Sequence, residues 1–457
     1  MKKLILASCL LMLASAAQAK PYLDIQEIHT PKGLTVWFVQ DKSIPVMALQ
    51  FSLKGGSQLD QNGKEGTTEL LSALFDEGAG KRDSEAFQNA LDANSIAMGF
   101  HTTHDAFYGK LKTTSKNQEI AWELFGDALN APHFAPEAVT RMKQALQSNL
   151  RFEQMNPGWI ASKTLSETLF KGEAYARLIE GTQESLEKIT VDDLKKAKAD
   201  LFCRERLKIS VVGNLDSKDV ATMADRFFGA WPSCAQPVDA KPITLQNAGK
   251  TVTVPWEGAQ SSVIIAQAGI ARQDKDWWTA RILDFSLGGG EFSSRLMNEV
   301  RVKRGLTYGV STGIAPYDLA PLWMIEAGID PSRTEDAVAL IKKIWGEVAA
   351  NGLTDEEIKD AKSFLIGSLP LALTSTDKIA AILLQMQEDD LPKNTLDTRN
   401  AEISAVTAED IKRVARQRLH SEALTTVIVG PVRKQTHEPS HPIASVAAPS
   451  GPSGDLH

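Results

Sequence analysis

The sequence predicts two α+β domains related by duplication, and three observations carry that reading. A chain of 457 residues, 43% hydrophobic and 23% charged, exceeds one core of ordinary size, so two domains of roughly 200 residues each are expected. Segments with strand-like alternation are mixed with segments of helical period, at hairpin-like strand spacing. A motif also recurs. Ile189-Thr190-Val191-Asp192-Asp193-Leu194-Lys195 leads into a helix-like stretch and then a strand from Leu207 to Val212, ended by Gly213. Val406-Thr407-Ala408-Glu409-Asp410-Ile411-Lys412 leads into the same succession, with a strand from Leu424 to Val429 ended by Gly430. Thr407 lies 217 positions after Thr190, and Gly430 lies 217 after Gly213. Each threonine suits a helix N-cap, with an acid three residues on (Asp193, Asp410). Two copies at the spacing of one domain indicate duplication, not a solenoid of short repeats.

Taken in order, the N-terminus reads as a secretory signal. Lys2 and Lys3 precede an apolar run from Leu4 to Ala16, and Ala17-Gln18-Ala19 is a small-x-small cleavage site, so the mature chain begins near Lys20. The run is too short for a membrane anchor. Leu6-Ala7-Ser8-Cys9 resembles a lipobox, but only five apolar residues precede Cys9 and the run continues past it. Export to the periplasm is expected. Losing Lys2 and Lys3 leaves 48 basic against 57 acidic residues and takes the formal charge from −7 to −9. So acidic a chain is a poor general binder of nucleic acid.

In the first domain (residues 20–235), Leu34 to Val39 and Val46 to Leu53 alternate as half-buried strands. Helical period follows at Ile120, Leu124, Phe125 and Leu129, and again from Ala138 to Leu150. Residues 236–250 read as a linker. The second domain (251–433) has strands near Ser262 to Ala268 and Leu322 to Ala327, then helices between Glu335 and Ala350 and between Asp355 and Ile366. The tail, 434–457, is rich in Pro, Ser, Ala and Gly and is expected to be disordered.

Two cysteines survive cleavage, Cys203 and Cys234, and an even count in an exported protein suggests a disulfide. A helix from about Ser217 to Phe228, running back antiparallel to the strand after Cys203, brings Cys234 to the same end of the domain. Two buried, unpaired cysteines are the alternative. His101 and His104 lie three apart in a strand-like region, so their side chains point to opposite faces and make a poor metal pair. His437, His441 and His457 lie in the tail, where only weak adventitious metal binding is expected.

Gly288-Gly289-Gly290-Glu291-Phe292-Ser293-Ser294-Arg295-Leu296, continued by Asn298-Glu299-Val300-Arg301-Val302-Lys303-Arg304-Gly305-Leu306-Thr307-Tyr308, resembles the C-terminal-half signature of the pitrilysin/insulinase family of zinc peptidases. No Gly-Lys-Ser/Thr follows the glycines, so they read as a tight turn between helices and not as a phosphate loop. Gly55-Gly56-Ser57 and Ala131-Pro132-His133-Phe134-Ala135-Pro136-Glu137 resemble other stretches of that family. The resemblance covers nearly all of the mature chain except the tail. It implies two homologous domains, each a mainly antiparallel sheet packed with helices, together forming half of a clam-shell.

Active members carry HxxEH on a helix of the first domain and a further Glu on a later helix. Two His one turn apart bind zinc, and the Glu activates a zinc-bound water. Anchored on Leu74-Phe75, the resemblance puts Thr68 and Ser72 at the His positions, Leu71 at the general base and Asn149 at the third ligand. None of these residues suits its task, so no metal is expected in this chain. Glu69, nearby, reads as a solvated helix charge. The resemblance also implies that Arg301 and Tyr308, seven positions apart, hold a substrate carbonyl and stabilise the oxyanion at a partner's site. Some bacterial members divide these parts between two chains. The expectation is a non-catalytic subunit of a heterodimeric periplasmic metallopeptidase, inactive alone. Zinc would sit in an HxxEH-bearing partner, and an extended peptide would be the substrate. A peptide-binding or scaffolding pseudopeptidase is the alternative.

Overall fold

The computed structural model describes residues 21–234 and 241–431. The signal and cleavage site, most of the linker's first half and the tail from residue 432 lie outside the described residues. Two sheets carry the architecture. The first contains β1 (Gln26–His29), β2 (Thr35–Gln40), β3 (Val46–Lys54), β4 (Ala97–Thr102), β5 (Ala106–Thr114) and β6 (Leu207–Gly213), in the order β1-β2-β6-β3-β5-β4. The second contains β7 (Thr251–Pro255), β8 (Ser261–Ala268), β9 (Thr307–Ala315), β10 (Leu322–Ile329) and β11 (Thr425–Gly430), in the order β7-β11-β8-β10-β9. The orders superimpose strand for strand once β1 is set aside. Each sheet has one parallel pair, β2 with β6 and β7 with β11, and is otherwise antiparallel. The expected α+β duplication is what the chain adopts.

The helices of the first half are α1 (Thr67–Ser72), α2 (Ser84–Ala93), α3 (Gln118–Asn130), α4 (Pro136–Glu153), α5 (Pro157–Leu169), α6 (Gln183–Lys188), α7 (Val191–Leu201) and α8 (Ser217–Phe228). Those of the second are α9 (Trp277–Asp284), α10 (Thr334–Asn351), α11 (Asp355–Ala372), α12 (Thr376–Glu388), α13 (Thr395–Ala405) and α14 (Ala408–Arg418). The repeated motif opens α7 and α14. Thr190 and Thr407 each accept from the backbone N–H of the acid three residues on, and Asp193 and Asp410 reach back to the cap N–H. Satisfying two otherwise orphaned donors at each start fixes both helices at the same register.

Each half has its own core. The first gathers Phe51, Phe75, Phe107, Phe125 and Phe228 between sheet and helices, and the second gathers Trp323, Trp345, Ile325 and Ile341. The halves then exchange helices. From the first half, α5 lays Ala161, Leu165 and Leu169 on Ile264, Ala266, Val427 and Val429 of the second sheet. From the second half, α12 lays Ile379, Ala380 and Leu383 on Val39, Ala48 and Val212 of the first. Ser210 Oγ donates to the Ala380 carbonyl at 2.8 Å and Gln387 Nε2 to that of Ile209 at 2.9 Å. Apolar burial on both exchanged faces joins the halves far more firmly than a surface contact would.

Candidate functional site

The first half of the site starts at α1. Its N-cap is Gly66, which offers no side chain, and Asp60 fills that role from the preceding turn. Asp60 Oδ2 accepts from Gly66 N at 2.9 Å, and Oδ1 accepts from Thr68 N at 3.1 Å and Thr68 Oγ1 at 2.5 Å. Burial pushes the Asp60 carboxyl up to about 6, against these bonds and the nearby Arg177. The Thr68 hydroxyl is thereby committed to holding the start of the helix. Ser72 Oγ donates to the Glu69 carbonyl at 2.8 Å. Leu71 is fully buried in the first core. Asn149 lies exposed on α4, the helix that α1 contacts. Two hydroxyls already bonded within the protein, an alkyl chain and one exposed amide do not fit zinc, which takes imidazole, thiolate or carboxylate.

Two expectations need correction here. Glu69 is not a solvated helix charge. It is mostly buried, and desolvation together with Glu180 and Asp60 pushes its carboxyl up to about 7. The sequence placed it on a helix but could not show that three acids converge. His104 lies beyond β4, in the turn before β5, and not on a strand. Its Nε2 lies 3.0 Å from the Arg177 carbonyl, while His101, on β4, stacks on Tyr108 at 4.6 Å. The two rings serve separate neighbours, so the strand-alternation argument is replaced by this geometry.

The second half of the site is built differently. Arg301 lies in a wide, π-helical turn, Met297–Val302, a geometry often found at functional positions. Gly305, at φ +57°, ends that turn: its N–H donates to the Arg301 carbonyl at 2.8 Å, and Leu306 N–H donates to Val300 at 2.9 Å. This paired closure needs a left-handed residue, which glycine supplies without strain. Glu299, two residues before it, is taken by Lys303 and Arg304, both at 2.6 Å. Arg301 has no ion-pair partner among the described residues. Its guanidinium instead rests over Phe292 at 4.9 Å, and that ring is 61% exposed.

Tyr308 is aimed by a bulge. Along β9 and β10, Gly309 pairs with Gly328 and Thr307 with Ile329, so Tyr308 has no partner in the ladder. Buried Thr307 clamps the irregularity: its Oγ1 donates toward the Gly309 and Gly328 carbonyls, both at 2.7 Å, and accepts from Gly309 N at 3.1 Å. A regular strand would turn Tyr308 to the face of its neighbour Val310, which is core. The bulge leaves it 69% exposed, as bulges beside active sites do when they re-aim a side chain. Sequence reasoning singled out Arg301 and Tyr308 but missed what Phe292, Thr307 and Asp60 do: one ring lies under the guanidinium, one hydroxyl clamps the bulge and one carboxylate caps α1. The triple glycine is not a tight turn: Gly288 and Gly289 end a wide π-helical turn, Phe285–Gly289, and Gly290 leads from it into a 3₁₀ turn, Glu291–Ser293.

Cys203 and Cys234 are joined in a disulfide with Cα atoms 5.0 Å apart. Glu205 Oε2 beside them accepts from Cys234 N at 2.6 Å. With both sulfurs bonded to each other this trio has no thiolate to offer a metal. Among the described residues no other close grouping of His, Cys, Asp and Glu has metal-ligand spacing.

Two family models match in tandem: residues 35–183 match insulinase (peptidase family M16), and residues 188–365 match the peptidase M16 inactive domain. This chain belongs to the M16, or insulinase, family. Its similarity to an uncharacterized zinc protease of Streptomyces coelicolor is 27% identity over 390 residues, 83% of each chain. It is 26% identical over 351 residues to a protein of Helicobacter pylori named a non-peptidase homolog, YmxG, covering 76% of this chain and 80% of the other. Among solved structures, a peptidase M16 inactive domain from Pseudomonas fluorescens superimposes with a TM-score of 0.85 at 28% identity, covering 91% of this chain and 99% of that one. A protease from Helicobacter pylori, at 18% identity and a TM-score of 0.80, shares the fold. Within M16, this chain is of the inactive type.

Proposed function

We propose that this M16 chain is the non-catalytic subunit of a heterodimeric, exported zinc metallopeptidase. Arg301 and Tyr308 reach an HxxEH-bearing partner's site, where the partner holds the zinc. The guanidinium supplies fixed cationic donors and the phenol a hydroxyl donor, aimed at a scissile carbonyl as negative charge develops on its oxygen. The peptide is held extended, added as a strand to an exposed sheet edge, for which β4 and β9 are available. The secretory reading of residues 1–19 supports the periplasm as the compartment.

The single observation that carries this reading is the display of Tyr308. A clamped bulge turns an aromatic side chain out of the core beside an arginine that has no ion-pair partner of its own among the described residues. Burying Tyr308 would be the default for a chain that only needed the fold.

The test is a fluorogenic peptide assay with each chain alone and together, alongside size-exclusion chromatography. The mature chain alone cleaves nothing. Mixed with an HxxEH-bearing homologue from the same organism, it forms a complex and raises hydrolysis of unstructured peptides. Chelator-sensitive cleavage by this chain alone would contradict the proposal.

A further inference from the structure

The exchanged helix leaves part of the second sheet uncovered. Helix α5 lies over β8 and β11. Toward the edge, β10 and β9 continue into an open trough of about 580 Å³. Register defines its floor. Glu326 pairs with Ser311 and Ile264, and Gly328 pairs with Gly309 and Ser262, so these six share one face. The floor is low: a Cβ added at Gly309 would meet nothing within 4 Å. The first turn of α5, at Pro157 and Gly158, and Met297 form walls. Met297 begins the same π-helical turn that carries Arg301, and Gly309 directly follows Tyr308, so the trough adjoins the displayed pair.

Its charge is one-sided. Glu326 is the only charged residue among those lining it, and no cation among the described residues forms an ion pair with Glu326. A carboxylate over small, neutral residues is complemented by a cation on a long, thin stem, which is what lysine and arginine offer. The volume falls in the range of sites that hold small ligands. The first turn of α5 presents the positive end of a helix, which favours the carbonyl oxygens of a bound backbone over a second cation.

We propose that this trough is a side-chain subsite that selects lysine or arginine in an extended peptide lying beside Tyr308, with Glu326 as the counter-charge. The inference rests on the reading of this chain as a peptide-handling subunit. It concerns binding by this chain alone, so it is decided separately from turnover in a complex.

The test measures fluorescence anisotropy with the full mature chain and a fluorescein-labelled decapeptide of Ala, Ser and Thr carrying one central lysine. The same peptide with norleucine or glutamate at that position is compared. The lysine peptide binds more tightly than the norleucine peptide by roughly three- to tenfold at low salt, and the glutamate peptide binds most weakly. The advantage shrinks as salt is added. Glu326→Gln removes the lysine advantage over norleucine, and Glu326→Lys turns the preference toward glutamate. Glu326 is exposed, so both variants retain the fold, which circular dichroism verifies. Equal affinity for the lysine and norleucine peptides, a lysine advantage that survives Glu326→Gln, or no binding of any of the three peptides overturns the subsite. Any of these results leaves the Arg301 and Tyr308 assay to be judged by itself.

Discussion

Two stretches of this chain hold their side chains in opposite ways. On α1 the side chains are absorbed into the fold: Thr68 is tied to Asp60, Ser72 to a backbone carbonyl and Leu71 to the core. On the turn and edge strand of the second half, Arg301 is half-buried without an ion-pair partner among the described residues and rests on an exposed ring, and Tyr308 is turned out by a bulge. One stretch now contributes stability. The other is positioned at the expense of a regular ladder.

The largest effect is expected at Leu71. Leu71→Glu places a carboxylate where no water reaches, so urea denaturation should show a loss of about 3 kcal/mol or more. The triple change Thr68→His, Leu71→Glu, Ser72→His should inherit that loss, and it should not restore full activity because Asn149 leaves the third ligand missing. A triple variant as stable as the native chain would mean that α1 is not committed to the core. Next comes the brace at the end of the first half. Cys203→Ser with Cys234→Ser opens a loop spanning a sequence separation of 31 and should cost on the order of 3–4 kcal/mol. Peptide mass mapping without reductant that found two free thiols in the native chain would remove that brace.

Glu69 sharpens the comparison through pH. Its folded-state carboxyl is pushed up to about 7 from an ordinary 4.5. The stability it contributes is therefore complete below about pH 4.5 and is lost as pH rises through about 7. Glu69→Gln should be more stable than the native chain at pH 8 by roughly 1–2 kcal/mol, with the difference vanishing near pH 4.5. Melting curves at three pH values check this, and a pH-independent difference would show that Glu69 is solvated after all. The smallest effect belongs to the other stretch. Tyr308→Phe, at an exposed position, should change stability by no more than about 0.5 kcal/mol, and Arg301→Ala, at a half-buried position resting on Phe292, by about 1 kcal/mol or less.

Much of this was legible in the sequence where the cause is local. The caps at Thr190 and Thr407 are set by residues three apart, and both capping boxes form as read. The helix Ser217–Phe228 has the predicted bounds. Strands such as Val46–Lys54 differ by a residue at their ends, where pairing and not alternation decides. What escaped the sequence depends on distant partners. The bulge at Tyr308 needs the Gly328 carbonyl that Thr307 grips, 21 residues away. The exchange of α5 and α12 is decided by which sheet face is left apolar after each half folds, and no periodicity reports that. Glu69 looked solvated because Glu180 and Asp60 reach it only in three dimensions.

If the displayed pair acts on a partner's chemistry, peptide turnover by a working complex of this chain with an HxxEH-bearing homologue depends on both residues. Arg301→Ala or Tyr308→Phe should lower turnover by about 10²–10³, the usual loss for one oxyanion donor, while size-exclusion chromatography shows the complex intact. Unchanged turnover in both variants of an intact, active complex would contradict the account and leave this chain a scaffold.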